Sequence, residues 1–600
     1  MSTRQKRQSK PKASVPAAPP TPTTPLDAER QPQYLPASAL LKNVTRALAL
    51  ILIAGVASPV SQLNLSPVFG SIPASLHHQQ AMTLTALGGL GVRRLLKGYL
   101  SVDVSAWVTV LAYWIPLIQC YLFPHSTQLG IDYGPLIVES LTYFPLLFLS
   151  MYAVSDLLDT VDFSRWDLPS ALGDAILPMS SYIGVSFIAR IFGGLLPTVI
   201  GQHVYLTRVG FQMLLASASA FITPSKLLFL AFPAILHTLW INPHNPADQA
   251  FQSANSTLVA THNYTILARQ ESLTGYVSVV ENYADNAFRL MRCDHSLLGG
   301  EWLVTPESYK KGQRQKESIF AVFVLLEAVR LVENPELEPI GSIPRALDVK
   351  PTPESEKSAL VIGLGIGTAP NALIKHGLNT TIVELDPVVH KYATEFFGLS
   401  PEHTAVISDA VRYVADTSVS APKSYDYIIH DVFTGGAEPV YLFTTEFMQG
   451  LHALLKDDGV VAINYAGDLT LGSTKLVLNT IHAVFPACRL FRDTAAPDDH
   501  KEGDSDFINM VIFCVKNDLG MGKKAIGFRK ATQKDFLGSL ARRNFLQPRE
   551  ELEVKYEYTE GAEVMGRADV AELEAYHEEG AVSHWKIMRS VLPAGVWEMW

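Results

Sequence analysis

The chain has 600 residues, of which 48% are hydrophobic and only 18% charged, and its formal net charge at pH 7 is -10. A chain of this length exceeds one ordinary hydrophobic core, so at least two domains are expected. The negative charge, together with the lack of a basic face in the C-terminal half, argues against a nucleic-acid partner.

Residues 1–40 are predicted to form a disordered tail. They include "SKPKASVPAAPPTPTTP", and a segment so rich in Pro, Ser, Thr and Ala cannot bury enough apolar surface to fold. The basic residues of the tail lie far from the first apolar run, and that run lacks a small-residue cleavage site. A cleaved signal peptide is therefore not expected.

Residues 41–242 are predicted to form a polytopic helical membrane domain. Only 16 of the 199 residues from position 43 to 241 are Asp, Glu, Lys or Arg, and apolar runs of about 20 residues match the hydrocarbon thickness of a bilayer. Six to eight helices are expected, and the alternative is a large, all-helical soluble core. Glu139 and Arg190 lie inside apolar runs, where such residues either mark a binding path or pack helices together.

Basic residues predict the orientation of this domain. Lys42, Arg46 and the cluster of Arg93, Arg94 and Lys97 belong on the cytoplasmic side by the positive-inside rule. An even number of helices then leaves the C-terminal half in the cytosol, and an odd number places it in the lumen. We expect a multi-pass membrane protein with a cytosolic catalytic domain. Four scattered cysteines indicate neither a disulfide framework nor a zinc site, and they fit a reducing compartment.

The C-terminal half has the composition of a folded soluble region. Residues 262–350 alternate apolar and polar positions between turn signals, which predicts a small cap of β-strands followed by a helix. Residues 351–517 alternate strand and helix, which is typical of a doubly wound α/β fold of the Rossmann type. Residues 518–600 form a C-terminal extension that adds little chemistry.

A glycine-rich turn follows the first strand of the α/β domain, within "LVIGLGIGTAPNALIKHGLNTTIVELDP" at residues 360–387. Gly363, Gly365 and Gly367 have the spacing G-x-G-x-G. This differs from the dinucleotide fingerprint, because Thr368 stands where that fingerprint has its third glycine. Missing side chains allow a ligand to approach the backbone at the start of the following helix.

Acidic residues end the next three strands, where ligands of such sheets bind. Glu384 lies 21 residues after Gly363, and a carboxylate there can accept hydrogen bonds from both ribose hydroxyls. Asp409 can accept a hydrogen bond from the exocyclic amine of adenine, and Asp431 follows the next strand. The set predicts a site for an adenosine nucleoside without a pyrophosphate. The alternative is structural, with glycines in a tight turn and acids that cap helices.

Several of these segments resemble the spermidine synthase family of aminopropyltransferases, in a membrane-fused form. They are "VIGLGIGT", "VELDPVV", "SDA", "IIHDVF" and "GVVAIN", and the resemblance covers residues 262–517. It implies the fold of S-adenosylmethionine-dependent methyltransferases. It further implies that three glycines line the nucleoside, one acid binds ribose, one faces adenine and one helps to deprotonate the attacking amine: Gly363, Gly365, Gly367, Glu384, Asp409 and Asp431.

The chain also departs from that family. Ile366 replaces an acid within the glycine turn, Thr434 replaces a second acid after Asp431, and Phe320 to Val322 replace a Tyr-His-Glu cluster. Polyamines are chains of ammonium groups, which need carboxylates to offset their desolvation. The nucleoside half of the site is therefore better supported than the acceptor half.

Three functions follow from the sequence. The favoured one is a membrane-tethered aminopropyltransferase of polyamine biosynthesis that transfers an aminopropyl group from decarboxylated S-adenosylmethionine to a small-molecule amine, with Asp431 as the proton acceptor. The second is a methyltransferase that uses S-adenosylmethionine on an unknown acceptor. The third is a catalytically inactive nucleoside sensor coupled to a transporter-like domain. No metal is expected, and a homodimer is a possible assembly.

Overall fold

The computed structural model describes most of the chain from residue 36 onward. Nearly all of the predicted disordered tail therefore lies outside the described residues. The described ranges are 36–95, 104–159, 161, 170–284, 286–333, 352–432, 439–495, 507–517, 526–559, 561–574 and 577–600.

The N-terminal region consists of helices, several of which pack around a common apolar core. The helices are α1 Ala37–Phe69, α2 Ser71–Ser75, α3 His78–Leu95, α4 Ser105–Leu122, α5 Ser126–Leu129, α6 Gly134–Leu141, α7 Tyr143–Leu158, α8 Ser170–Val199, α9 Arg208–Ile222, α10 Phe232–Trp240 and α11 Asp248–His262. Single 3-10 turns, Phe123–His125 and Lys226–Ala231, precede α5 and α10.

Three stretches among the described residues are long and apolar enough to cross a membrane: Ala37–Phe69, Ser105–Leu129 and Ala175–Val199. A fourth is formed if α6 and α7, which meet at an angle of 44°, count as one broken span. Two further apolar stretches, Arg208–Ile222 and Lys226–Trp240, are shorter. The number of candidate membrane spans in the described residues, three or four, is thus lower than the predicted six to eight. The membrane domain stays a prediction.

Helix α8 has an exposed apolar face. Ile183, Phe187, Ile191 and Leu195 follow one another at intervals of four residues, and Phe187 is 63% exposed. Residues at this spacing lie on one side of a helix. A continuous apolar face of this kind is typical of contact with a membrane or a partner.

The two charged residues singled out in the apolar runs have different surroundings. Glu139 is 1% exposed; its carboxylate accepts a hydrogen bond from Ser61 Oγ at 2.6 Å and contacts His78 Nδ1 at 2.8 Å. Arg190 is exposed. Glu139 therefore joins helices α1, α3 and α6, which favours the packing interpretation for this residue.

The cap that follows is an antiparallel sheet of five strands in the order β1-β2-β3-β4-β5. Its helices are short, and the predicted helix after the strands ends at Leu325 and continues as a 3-10 turn to Leu331. The elements are β1 Tyr264–Glu271, β2 Tyr276–Asn282, β3 Phe288–Cys293, β4 Ser296–Trp302, α12 Pro306–Lys310, β5 Glu317–Ser318, α13 Ala321–Leu325 and β6 Val332–Glu333.

The α/β domain begins with strand β7, Ser358–Ile362. Its residues alternate between two apolar layers, because Ala359 and Val361 belong to one core cluster while Leu360 and Ile362 belong to the other. The remaining elements are α14 Thr368–Lys375, β8 Asn379–Glu384, α15 Pro387–Phe397, β9 Thr404–Ile407, α16 Ala410–Ser420, β10 Tyr425–His430, α17 Thr445–Leu454, β11 Leu455–Asp468, α18 Gly472–Val484, β12 Ala487–Arg492 and β13 Phe507–Val515.

The large sheet confirms the predicted Rossmann-like fold of the C-terminal half. Its eight strands have the order β15-β12-β13-β11-β10-β7-β8-β9, where β15 is Glu553–Val554. Neighbours from β11 to β9 are parallel, and β13, β12 and β15 add antiparallel pairs. Helices cover both faces of such a parallel sheet, so its strands are buried and carry apolar side chains on both faces.

The structure corrects the expectation about cysteines. Cys488 on β12 lies opposite Cys514 on β13, and the two form a disulfide bond. Pairing of antiparallel strands brings together two residues that the sequence separates by 26 positions. The linear spacing of the cysteines gives no sign of this neighbourhood.

The C-terminal extension is part of the folded structure. It contains β14 Gly527–Phe528, α19 Leu540–Phe545, α20 Val570–Glu574, α21 His577–Val591 and α22 Ala594–Glu598. The final residues lie between the helical region and the cap: the ring of Trp600 stacks on that of His244 with centroids 4.4 Å apart and meets that of Tyr276 on β2 edge-on at 5.2 Å. The last tryptophan is 2% exposed, so the end of the chain connects the two regions.

Candidate active site

The carboxyl ends of four adjacent parallel strands meet at one edge of the large sheet. Ile362 on β7 lies opposite Val383 on β8 and opposite His430 on β10, and His430 in turn lies opposite Ile463 on β11. Neighbouring strands are about 5 Å apart. The next residue on each strand therefore belongs to one row: Glu384, Gly363, Asp431 and Asn464.

The glycine turn after β7 has a left-handed backbone at all three predicted glycines. The φ angles of Gly363, Gly365 and Gly367 are 83°, 53° and 84°, which favours glycine. A Cβ atom on Gly363 would lie 2.0 Å from the carbonyl oxygen of Asp431, and one on Gly365 would lie 2.5 Å from that of Leu298. The glycines thus permit the turn to pack against β10 and the cap.

Glu384 is tied to this turn. Its Oε2 accepts a hydrogen bond from the backbone N–H of Leu364 at 3.0 Å, and its Oε1 accepts one from the N–H of Asp386 at 2.8 Å. Burial raises the pKa of Glu384 to about 7. The structure therefore brings the predicted ribose acid next to the glycines, at the carboxyl end of β8.

Asp409 follows β9 at the outer end of the row. It is exposed, and its carboxylate accepts a hydrogen bond from the N–H of Val411 at 2.8 Å, which caps helix α16. Ser408 donates from its backbone N–H to the carbonyl of Glu384 at 3.0 Å and holds this end beside β8. The capping alternative thus describes Asp409 in this structure, and its contact with adenine stays a prediction.

Asp431 and Asn464 form a hydrogen-bonded pair at the end of the row opposite Asp409. Asn464 Nδ2 donates to Asp431 Oδ1 at 2.8 Å. Burial raises the pKa of Asp431 to about 6, and the hydrogen bond from Asn464 opposes that rise. A carboxylate with this pKa is ionised at neutral pH and can accept a proton, which is the property that a general base needs.

His430 precedes Asp431 but does not take part in the pair. It is fully buried, its ring meets that of Phe443 edge-on at 5.0 Å, and burial lowers its pKa to about 4. The histidine is therefore neutral at pH 7 and packs in the aromatic layer beneath the row, as the structural interpretation of a lone strand-end histidine predicts.

The cap covers the glycine turn with apolar and backbone groups. Ile366, in the middle of the turn, is 6% exposed, and a Cβ atom on Gly299 of β4 would lie 2.9 Å from its Cγ1. The turn from Gly363 to Thr368 contains no acid. Within the described part of the chain, the backbone N–H groups of Gly365 and Ile366 donate no hydrogen bond.

Asp386 connects the cap to the site, and the sequence did not reveal this role. Its buried carboxylate accepts hydrogen bonds from Ser272 Oγ at 2.5 Å and Thr274 Oγ1 at 2.6 Å, in the turn between β1 and β2. It also caps α15 through the N–H of Val388 at 2.8 Å. Asp before Pro387 is a signal for a helix start, whereas the link to the cap depends on tertiary structure.

The structure thus brings Gly363, Glu384 and Asp431 together in one row and places Asp409 at its outer end. Asn464 was missed. It stands directly after the apolar residues "VVAI", where the parallel pairing of β11 with β10 ends although β11 itself continues to Asp468. The end of this apolar run was the available signal.

Comparison with known proteins gives three findings. Residues 338–492 match the family described as "Spermine/spermidine synthase domain". The chain is 42% identical over 570 residues to the "N-terminal histidine N-methyltransferase" of Emericella nidulans, and the alignment covers 93% of this chain and 98% of that protein. It is 31% identical over 168 residues to the "Polyamine aminopropyltransferase" of Vibrio vulnificus, which covers 26% of this chain and 50% of that protein.

A solved structure also aligns with part of the chain. A probable spermidine synthase from Corynebacterium glutamicum shares 16% identity with a TM-score of 0.32, over 49% of this chain and 98% of that one.

The predicted aminopropyltransferase function is wrong. The relative that aligns with nearly the whole chain is a methyltransferase, whereas the aminopropyltransferase from Vibrio vulnificus aligns with about a quarter of it. The site gives the physical reason, because the buried Ile366 replaces the acid that the spermidine synthase resemblance implies in the glycine turn. A cationic donor tail that reached the turn would find an apolar side chain at position 366, where a carboxylate would offset its desolvation.

Proposed function

The chain belongs to the family of the N-terminal histidine N-methyltransferase of Emericella nidulans and is a transferase; we propose that it transfers the methyl group of S-adenosylmethionine to a nitrogen of an N-terminal histidine residue. The observation that carries this proposal is the 42% identity over 93% of the chain. A peptide or protein substrate then replaces the small-molecule amine expected from the sequence.

The nucleoside half of the row supports this donor. Glu384 offers its carboxylate beside the turn, where a ribose would lie in a Rossmann-type site. The N–H groups of Gly365 and Ile366 have no acceptor among the described residues, and backbone N–H groups in such a turn bind anions. S-adenosylmethionine carries a carboxylate at its tail, and its decarboxylated form does not. Two backbone N–H groups that are unpaired among the described residues, in a turn that contains no acidic residue, favour the carboxylate of S-adenosylmethionine over its decarboxylated form.

The acceptor half can assist the transfer. S-adenosylmethionine supplies an electrophilic methyl carbon on a sulfonium sulfur, so alignment of a neutral nucleophile is the main requirement. As the new N–C bond forms the C–S bond breaks, S-adenosylhomocysteine leaves, and the methylated imidazole loses its N–H proton. Asp431, with a pKa of about 6, can accept a hydrogen bond from that N–H and take the proton.

We also propose that the helical region anchors the enzyme in a membrane. Three described stretches have the required length and composition, and α8 exposes Phe187 and Ile183 to its surroundings. About 20 apolar residues are needed to cross the hydrocarbon layer as a helix. The cytosolic placement of the catalytic domain remains part of this proposal.

The test is transfer by the full-length protein in detergent. A peptide that begins with histidine is incubated with S-adenosylmethionine, and tandem mass spectrometry locates any added methyl group. The same peptide with alanine first, and decarboxylated S-adenosylmethionine with putrescine, serve as controls. A methyl group on the first residue is expected. Aminopropylated putrescine without methylated peptide would contradict the proposal.

A further inference from the structure

Only one of the two polar atoms in the side chain of Asn464 forms a hydrogen bond among the described residues. Asn464 lies on β11 directly after Ile463, the last residue that pairs with β10, and is 8% exposed. Its nitrogen donates to Asp431 at 2.8 Å, whereas its oxygen, Oδ1, is buried and has no hydrogen-bond partner in the part of the chain that the structure describes. Buried polar atoms are rarely left unpaired in folded proteins. A ligand that donates a hydrogen bond to this oxygen would supply the missing partner.

The orientation of the amide follows from chemistry. An ionised carboxylate only accepts hydrogen bonds, and Asp431 is ionised at neutral pH because its pKa is about 6. The NH2 group of Asn464 must therefore face Asp431. The carbonyl oxygen is forced to the other side of the amide, where it is available as an acceptor.

The other acids of the site already accept hydrogen bonds from the backbone. Glu384 accepts from the N–H groups of Leu364 and Asp386, and Asp409 Oδ1 caps its helix at the exposed outer end of the row. Among the side chains of Glu384, Asp431 and Asn464, the oxygens without a partner in the described part of the chain are Asp431 Oδ2 and Asn464 Oδ1. An N-terminal histidine offers two kinds of donor, which are the imidazole N–H and the α-ammonium group.

We infer that Asn464 positions the substrate: its side-chain oxygen accepts a hydrogen bond from the α-ammonium group, while its side-chain nitrogen holds Asp431 for the imidazole proton. This inference rests on the proposed function. Asn464 would then select a chain terminus, because the ammonium group is what distinguishes a first histidine from an internal one. A site built around a substrate N–H discriminates strongly against an analogue that lacks it, since the buried acceptor is left unpaired.

The experiment combines two substrates with a set of variants. The full-length enzyme is assayed with a histidine-first peptide and with the same peptide acetylated at its amino group. Asn464→Leu removes both amide atoms at similar volume, and Asn464→Asp keeps an acceptor oxygen. Asn479→Leu is the matched control, because Asn479 lies on α18, outside the row, and its amide oxygen accepts a hydrogen bond from the hydroxyl of Tyr556.

The preference for the free amino group is the quantity to compare. For the wild type and Asn479→Leu, we expect kcat/KM to fall about 10- to 100-fold on acetylation, as for loss of a hydrogen bond from a charged group. For Asn464→Leu the fall should be less than about threefold, and Asn464→Asp should keep the preference. Affinity for S-adenosylhomocysteine should stay within about twofold in every variant, which also reports a folded donor site.

A second effect separates positioning from mere packing. The hydrogen bond from Asn464 lowers the pKa of Asp431, so its loss in Asn464→Leu should move the acid limb of the kcat profile to higher pH, and Asn479→Leu should not. An undiminished preference for the free amino group in Asn464→Leu, with an active wild type, would overturn the inference alone. Absence of transfer by the wild type would overturn the proposed function as well. Asn464→Ala gives the same comparison if the leucine variant does not fold.

Discussion

Glu384 Oε2 accepts a hydrogen bond from the backbone N–H of Leu364 at 3.0 Å, so the acid at the end of β8 is fixed to the glycine turn. We predict that Glu384→Gln weakens nucleoside binding by about 1 to 3 kcal/mol, because the ribose hydroxyls lose a charged acceptor. Calorimetry with S-adenosylhomocysteine and 5'-methylthioadenosine measures the effect. Equal affinities of variant and wild type would remove Glu384 from the ribose site.

The same residue predicts a pH dependence of binding. Burial raises the pKa of Glu384 to about 7, so its ionised form, the better acceptor for ribose, increases as the pH rises through 7. The affinity for S-adenosylhomocysteine should therefore increase about tenfold between pH 6 and pH 8. Glu384→Gln should show a flat profile over this range, and a pH dependence that persists in the variant would assign the titration to another group.

Asp431 should affect the chemical step more than binding. Asp431→Asn keeps the size of the side chain and removes the proton acceptor, so kcat should fall roughly 100-fold or more while affinity for S-adenosylhomocysteine stays nearly unchanged. Steady-state kinetics and calorimetry on the same preparations provide both values. Transfer at the wild-type rate by Asp431→Asn would make the acid structural.

Asp386 should matter for stability. Its buried carboxylate accepts hydrogen bonds from Ser272 and Thr274 of the cap and from Val388 of α15. Asp386→Ala leaves these donors unpaired and should lower the free energy of unfolding by about 2 to 4 kcal/mol. Unfolding of the detergent-solubilised protein measures this loss. Thr274→Val, which removes one donor at equal size, should lose less, and equal stability of Asp386→Ala and wild type would refute the link.

The orientation of the catalytic domain is open to a direct chemical test. Asn263, in the sequon "NYT", is exposed, whereas the side chain of Asn255 in "NST" accepts a hydrogen bond from the N–H of Ile266 at 2.7 Å. A cytosolic domain predicts no glycan on Asn263. The disulfide between Cys488 and Cys514 is the observation that opposes this cytosolic placement, because disulfides are typical of an oxidising compartment. A glycan that is released by endoglycosidase would contradict the cytosolic placement.

Sequence patterns predicted the Rossmann-like half well because its signals are local. Four consecutive residues of β7, "ALVI", are apolar, which suits burial on both faces, and the glycines and strand-end acids stand where that fold binds ligands. Glu384 and Asp431 were found in this way. Asn464 follows the apolar run "VVAI" in the same way, but an amide, unlike a carboxylate, is a weak sequence signal for a site.

Other features depend on tertiary neighbours. Cys488 and Cys514 meet because β12 and β13 pair, and Asp386 reaches the cap because the turn between β1 and β2 packs on α15. The predicted aminopropyltransferase activity was wrong for a different reason: the resemblance rests on segments of the nucleoside-binding domain, whereas the methyltransferase of Emericella nidulans aligns with 93% of the chain. Fold similarity does not determine the chemistry of a site.

The central claim is that the methyl group of S-adenosylmethionine reaches an N-terminal histidine. The most direct measurement supplies the full-length enzyme with S-adenosylmethionine carrying a labelled methyl group and a mixture of two peptides that differ only in whether histidine stands first or second. The account predicts label on the imidazole of the histidine-first peptide and S-adenosylhomocysteine in equal amount. Equal labelling of both peptides, or no label on either, would contradict it.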